Sequence, residues 1–295
     1  METNDSFHNS LYRIGCPVWS CPHWKGSVYS HRAPKDRWLR QYSQIFGAVE
    51  GNSTFYGIPR IETFERWAEQ TVPGFRFCLK FPRIISHEKE LMHVEHELGL
   101  FLQGVEVLAR GERLGPTFLQ LGPSFGPSKF DRLAFFLKSL PTEYDFAVEV
   151  RHLDWFREPA ESKLNELLIQ LAMERVIFDS RPLFSELPED EIERASQSRK
   201  PKSPVNKIVT GNQPMLRLVG RNKVSKTAPW VEEWVPIIAQ WIREGRHPIV
   251  FTHAPDDRYA PQFAFEFHNR LSIELDEIFA VEEFPHTAAV QGELF

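Results

Sequence analysis

The chain has 295 residues, of which 42% are hydrophobic and 25% charged, and its net charge is −5. That composition is ordinary for a globular protein and excludes a polybasic nucleic-acid binder as a description of the whole chain. Three cysteines, Cys16, Cys21 and Cys78, none in C-x-x-C spacing, argue against a disulfide framework or an iron–sulfur site.

The first segment, METNDSFHNS, lacks a basic stretch followed by an apolar run, so no signal peptide is expected. Tyr12–Trp19 then reads as a strand, and Asp36–Phe46 as a helix with Trp38, Leu39, Tyr42, Ile45 and Phe46 on one face. Ala48–Phe55 is the next strand, and Ile61–Gln70 a helix stopped near Pro73-Gly74. Arg76–Pro82 alternates Phe77, Leu79 and Phe81 with Arg76 and Lys80, a third strand, and Met92–Ala109 is a long helix. Strands at Pro116–Leu121, Asp145–His152 and Arg175–Asp179 alternate with helices at Phe130–Leu140 and Glu161–Met173. Arg181–Gln213 reads as an irregular polar insertion. Strands at Met215–Val219 and Pro248–His253 follow, each succeeded by a helix, Trp230–Arg243 and Ala260–Leu271. No apolar run approaches the roughly 18 residues that cross a membrane, and a cytoplasmic protein is expected.

Eight strands alternating with helices predict parallel pairing through right-handed crossovers. The expectation is an α/β fold: a single-domain TIM-type (β/α)8 barrel over residues 1–290, followed by a short tail at 291–295. A doubly wound open sheet is the alternative. It is disfavoured because neither G-x-G-x-x-G nor G-x-x-x-x-G-K-[ST] is present.

In a barrel the chemistry sits at the C-terminal ends of the strands. Those places hold Glu50 and Asn52, Lys80 with His87 beyond it, Gln120, Glu149 and Arg151, Asp179 and Arg181, Arg217, and His253 with Asp256 and Asp257 after it. One reading is a buried, charge-balanced ion-pair network. The other is a site for a polar anionic substrate, with Glu50 and Glu149 for acid–base work, His87 to shuttle a proton and Lys80 among the catalytic groups. Trp19, Asn52, Tyr56, Arg151, Asp179, Arg181, Arg217 and Arg221 are the candidate ligand-binding residues. Arg221 belongs to the loop Gly220-Arg221-Asn222-Lys223, inside a stretch from Arg194 to Val231 with no Asp or Glu, which predicts a phosphate site. Glu50, Glu149, Asp179, His87 and His253 could converge on a divalent ion, but no H-E-x-x-H or D-x-D-x-D-G motif supports one, so no metal ligand is assigned and the cofactor is left open.

The motifs IGCPVWSCPHWKG (14–26), VEGNSTFYGIP (49–59), RWAEQTVPGFRFCLKFPRIISHEKEL (66–91), LQLGPSFGP (119–127), FAVEVRHLDWF (146–156), FDSRPLFS (178–185) and RKPKSPV (199–205) resemble the YecE-like family, domain of unknown function seventy-two. The resemblance implies a TIM-type barrel and leaves the activity open. Trp19, Trp24, Glu50, Asn52, Thr54, Tyr56, Lys80, His87, Glu149, Arg151, Arg181 and Arg217 fall on its motif positions. The R-x-H-G run of many members at strand 7 is replaced here by Arg217-Leu218-Val219-Gly220, and the Asn pair at strand 8 by Thr252-His253.

The last five residues, QGELF, resemble the pentapeptide by which bacterial replication and repair proteins dock on the sliding clamp, matching it at Gln291, Leu294 and Phe295. The leading expectation is therefore an enzyme acting on a phosphate-bearing substrate, nucleic acid or nucleotide, recruited to DNA by its tail. A sugar or sugar-phosphate enzyme and a non-catalytic clamp adaptor are the alternatives.

Overall fold

The computed structural model describes residues 11–276 together with residues 284–285. The predicted clamp motif, Gln291 to Phe295, lies outside the described residues. All the strand pairings are parallel. The strands are β1 (Arg13–Cys16), β2 (Ala48–Gly51), β3 (Arg76–Leu79), β4 (Thr117–Gln120), β5 (Phe146–Glu149), β6 (Glu174–Arg175), β7 (Ile177–Asp179), β8 (Met215–Val219) and β9 (Ile249–His253). Six of them form one sheet in the order β3-β2-β1-β9-β8-β7, and three form a second in the order β4-β5-β6.

The two sheets touch at both ends. At one, the Gly115 amide donates to the Phe77 carbonyl (2.9 Å) and the Phe81 amide to the Phe118 carbonyl (3.0 Å), linking β3 to β4. At the other, only Val176 separates β6, which pairs with β5, from β7, which pairs with β8. The predicted sixth strand, Arg175–Asp179, is thus one run of chain that changes partner halfway. β1 can approach β2 because residue 15 is glycine: a Cβ there would stand 1.9 Å from the Ala48 carbonyl oxygen.

Helices α1 (Trp38–Ile45), α3 (Ile61–Gln70), α4 (Glu95–Arg110), α5 (Phe130–Lys138), α6 (Ala160–Gln170), α8 (Ala228–Arg243) and α9 (Ala260–Glu274) fall close to the predicted ranges. They bury their apolar stripes against the outer faces of the strands in one large core, where Trp24, Tyr42, Phe64, Phe77, Trp155 and Trp234 are inaccessible to solvent or nearly so. None of the helices among the described residues is long and apolar enough to cross a membrane.

Two predicted segments differ. The strand expected to continue to Phe55 ends at Gly51, and Ser53–Tyr56 forms a short helix, α2, whose Thr54 hydroxyl donates to the Lys80 carbonyl (2.6 Å). Arg181–Gln213, expected to be irregular, contains α7 (Glu191–Arg199). Its start is capped by Asp190, whose carboxylate accepts the Glu193 amide at 2.7 Å.

Candidate functional site

Side chains two apart on a strand share a face. Ala48, Cys78, Phe118, Ala147, Val176, Met215 and Phe251, with Ile249, form a separate apolar cluster drawn from both sheets. Two residues further along the same strands stand Glu50, Lys80, Gln120, Glu149, Phe178, Arg217 and His253. One step toward the C-terminal ends therefore turns an apolar layer into a charged one, and nearly all of it is buried: Glu50 is 0% exposed, Glu149 1%, Arg217 3%, His253 4% and Lys80 7%.

Arg217 is the hub. Its Nε and NH2 donate to the two oxygens of Glu50, each at 2.7 Å, and its NH1 donates to Glu149. Glu50 also accepts from the Asn52 side-chain amide (2.6 Å), and its Oε2 lies 3.0 Å from His253 Nε2. Asn52 in turn donates to the Pro17 carbonyl (3.0 Å), which fixes it and Glu50 together. Burial alone would raise the Glu50 carboxyl, but Arg217 and His253 outweigh it and hold it well below the usual range. Burial pushes His253 down to about 4, against the pull of Glu50, so its imidazole is neutral at pH 7. Burial likewise acts to raise Glu149, and Arg151 and Arg217 hold it low.

Glu50 and Glu149, expected to do acid–base work, thus lie on either side of Arg217. Glu50 is an ionised carboxylate with every lone-pair direction occupied, which suits holding Arg217 in place and not exchanging protons at neutral pH. Glu149 is less fully engaged. Its Oε1 forms an ion pair with Arg151 NH2, while the buried Arg151 Nε has no hydrogen-bond partner.

The cations converge on Gln120. Its side-chain oxygen lies 3.0 Å from Lys80 Nζ, 3.1 Å from Arg151 NH2 and 3.5 Å from Arg217 NH1. Lys80 also lies 3.9 Å above the Phe55 ring, and Arg151 3.9 Å above Phe178. Burial, reinforced by Arg217, pushes Lys80 down to about 7.

Lys200, which the sequence reading left without a role, belongs to the same field. Half-buried at the C-terminal end of α7, it is pushed to about 8 by burial and then by Arg217, with Glu50, Arg151 and Glu149 also within electrostatic range. Asp257 beyond β9 feels Lys200 in turn, and burial raises it to about 6. The Trp24 indole fixes that loop by donating to the Asp257 carbonyl (3.0 Å). The sequence signals for Lys200 were its place in RKPKSPV and in the acid-free stretch from Arg194 to Val231.

His87 sits beside this layer, half-buried, its ring edge-on to Phe55 at 5.2 Å and its Nδ1 2.8 Å from the Ser86 hydroxyl. Burial and then Lys80 lower it to about 4, so it is a neutral imidazole.

Four predicted ligand-binding residues face elsewhere. Asp179 points away from the charged layer, because its neighbour Phe178 takes the inward face. It accepts from the Arg181 amide (2.9 Å), the Arg181 guanidinium (2.7 Å) and the Trp234 indole (2.9 Å). Arg181 is held by Asp179 and Glu233. Trp19 packs edge-on against Trp67 and Phe77 in the outer core. Arg221, expected to bind phosphate, is fully buried and donates to both oxygens of Glu193 (3.1 and 2.6 Å), while Lys226 pairs with Glu186 and Glu189. Glu186, Glu189 and Glu193 thus pair with Arg221 and Lys226 of the segment after β8. Tyr56, by contrast, is 83% exposed, beside Phe55. Among the described residues no group of three or more His, Cys, Asp or Glu side chains is placed to hold a metal ion.

A profile described as "Protein of unknown function DUF72" matches residues 13–289. The chain is 37% identical over 278 residues to the UPF0759 protein YecE of Escherichia coli strain K12, an alignment covering 94% of this chain and 98% of that protein. Two solved structures share the fold. A DUF72 family protein from Thermotoga maritima MSB8 superposes with a TM-score of 0.68 at 23% identity, covering 90% of this chain and 99% of the other. One from Enterococcus faecalis V583 superposes with a TM-score of 0.65 at 19% identity, covering 91% and 99%. The chain belongs to the DUF72 family of proteins of unknown function.

Proposed function

We propose that this protein is an enzyme whose strands close into a TIM-type (β/α)8 barrel and whose charged layer binds a small phosphate-bearing substrate, a nucleotide or a sugar phosphate. Closure is supported by the β3–β4 hydrogen bonds and by the partner change at Val176.

The observation that carries the binding reading is the convergence of Lys80, Arg151 and Arg217 on one neutral amide oxygen of Gln120. Cations crowd together in a buried site only against compensating negative charge. Here four basic groups, Lys80, Arg151, Lys200 and Arg217, face the two engaged carboxylates of Glu50 and Glu149, with Asp257 beside Lys200. A phosphate group adds negative charge to this cluster and accepts bidentate bonds from guanidinium. The groups poised to move protons at neutral pH are Lys80, Lys200 and Asp257, because their pKa values lie near it.

The depth of the site favours a small molecule over a duplex, and the pairing of Arg221 with Glu193 removes the basic loop as a phosphate-backbone contact. A thermal-shift comparison tests the reading. Nucleotides and sugar phosphates should raise the melting temperature where their unphosphorylated counterparts do not. Equal shifts, or none from any phosphorylated compound, would defeat it.

A second reading, docking on the bacterial sliding clamp, is favoured by the match of Gln291, Leu294 and Phe295 to the clamp-binding pentapeptide. Clamp binding by the full chain and not by a chain ending at Val290 supports it, and equal behaviour of the two removes it.

A further inference from the structure

We infer that Lys80 is an amine nucleophile that forms an imine with the carbonyl carbon of an anionic aldehyde or ketone substrate. This rests on the anion-site reading above and adds a reaction class to it.

The geometry singles out Lys80 among the three converging cations. Its Nζ donates to the neutral Gln120 oxygen at 3.0 Å and shares that oxygen with two guanidinium groups. The Phe55 ring, 3.9 Å away, covers Nζ, and the Lys80 backbone is pinned by the Thr54 hydroxyl on its carbonyl. Guanidinium groups keep their protons, so of the three groups only the lysine can relieve the crowding by losing one. A desolvated amine beside fixed positive charge has an available lone pair. At pH 7 a surface lysine holds a free amine in about one molecule in 3,000. Lys80, pushed down to about 7, holds one in about half.

A substrate whose carboxylate or phosphate is held by Arg151 and Arg217 presents its carbonyl to this amine. The Nζ lone pair forms the C–N bond as the C=O π pair moves to oxygen. That oxygen takes both amine protons and departs as water, and the nitrogen lone pair closes C=N. Amine and carbonyl become imine and water, with no other reactant. Protonated, the imine withdraws electrons from the adjacent carbon, which is the chemistry of bond making and breaking next to a carbonyl.

Reductive trapping tests this on the native full-length chain. Pyruvate and dihydroxyacetone phosphate are incubated separately with the protein and sodium cyanoborohydride, and the product is digested for peptide mass mapping. The expected result is an adduct on Lys80, of the mass of the ketone less one oxygen atom, in excess over every other lysine. Lys80→Arg keeps the charge and loses the amine, so it should lose the adduct while keeping the far-ultraviolet circular dichroism of the native fold. A sulfate shift in the native protein without a Lys80 adduct from either ketone, or with labelling led by Lys200 or surface lysines, overturns the amine role and leaves the anion site standing. Absence of any anion-dependent shift removes the site, and this inference with it.

Discussion

Arg217 and Glu50 face each other through two parallel hydrogen bonds of 2.7 Å, although 167 residues separate them in the chain. Both are buried, and Glu149 completes the triad on the other side of Arg217. Such a network is costly to interrupt from either side, because the surviving partner keeps its charge in a medium that cannot solvate it.

Arg217→Met leaves two buried carboxylates without their shared cation. It should lower stability by roughly 3–5 kcal/mol, read from urea unfolding at pH 7. A change under about 1 kcal/mol would mean that the carboxylates find other partners or take up protons at little cost.

Glu50→Gln gives a pH signature. The folded-state pKa of Glu50 lies below its unfolded value, so its contribution is complete above the unfolded value of about 4.3 and is lost as pH falls through the folded value. The gap in urea midpoint between native protein and Glu50→Gln should be widest near neutrality and shrink as pH drops below about 4. A gap independent of pH would show that the ionised form is not the stabilising one.

Lys80 acts with the same sign in a higher pH window. Its folded pKa, about 7, lies below the unfolded value, so the unfolded chain binds a proton that the native protein has released. Stability from this group therefore rises with pH between about 7 and 10. Lys80→Met should remove that rise and be relatively most stable, against the native protein, at pH 7 and below. Parallel profiles for the two proteins would contradict the depressed value.

The Arg221–Glu193 pair ties the segment after β8 to α7. Arg221→Met should destabilise by about 3 kcal/mol and speed hydrogen exchange in α7, while leaving sulfate binding unchanged. Loss of sulfate binding would return the loop after β8 to the site.

The strand ends were legible in the sequence because strand alternation is local: Glu50, Lys80, Glu149 and Arg217 could be placed from β-rich runs alone, and they meet. That Arg217 engages both carboxylates was not legible, because its pairing with Glu50 depends on register across the sheet. Arg221 misled for a related reason. The basic stretch was read as an anion site, whereas the fold sets Glu186, Glu189 and Glu193 against Arg221 and Lys226. The start of α7 did leave a trace: Asp190 with Glu193 three residues later is a helix-start pattern, overlooked inside a polar stretch. Lys200 depended on that helix, so it was missed with it.

Sulfate titration by calorimetry tests the central claim most directly, because sulfate carries the charge of a phosphate without protons that titrate near neutrality. The account predicts that at pH 7.5, in buffers of different ionisation enthalpy, sulfate binds with net proton uptake as Lys80 and Lys200 are drawn back toward their ordinary values. It also predicts that Arg151→Gln weakens binding by at least roughly tenfold, about 1.4 kcal/mol. No binding, or binding without proton uptake that Arg151→Gln leaves intact, would contradict the claim that Lys80, Arg151 and Arg217 are gathered around an anion.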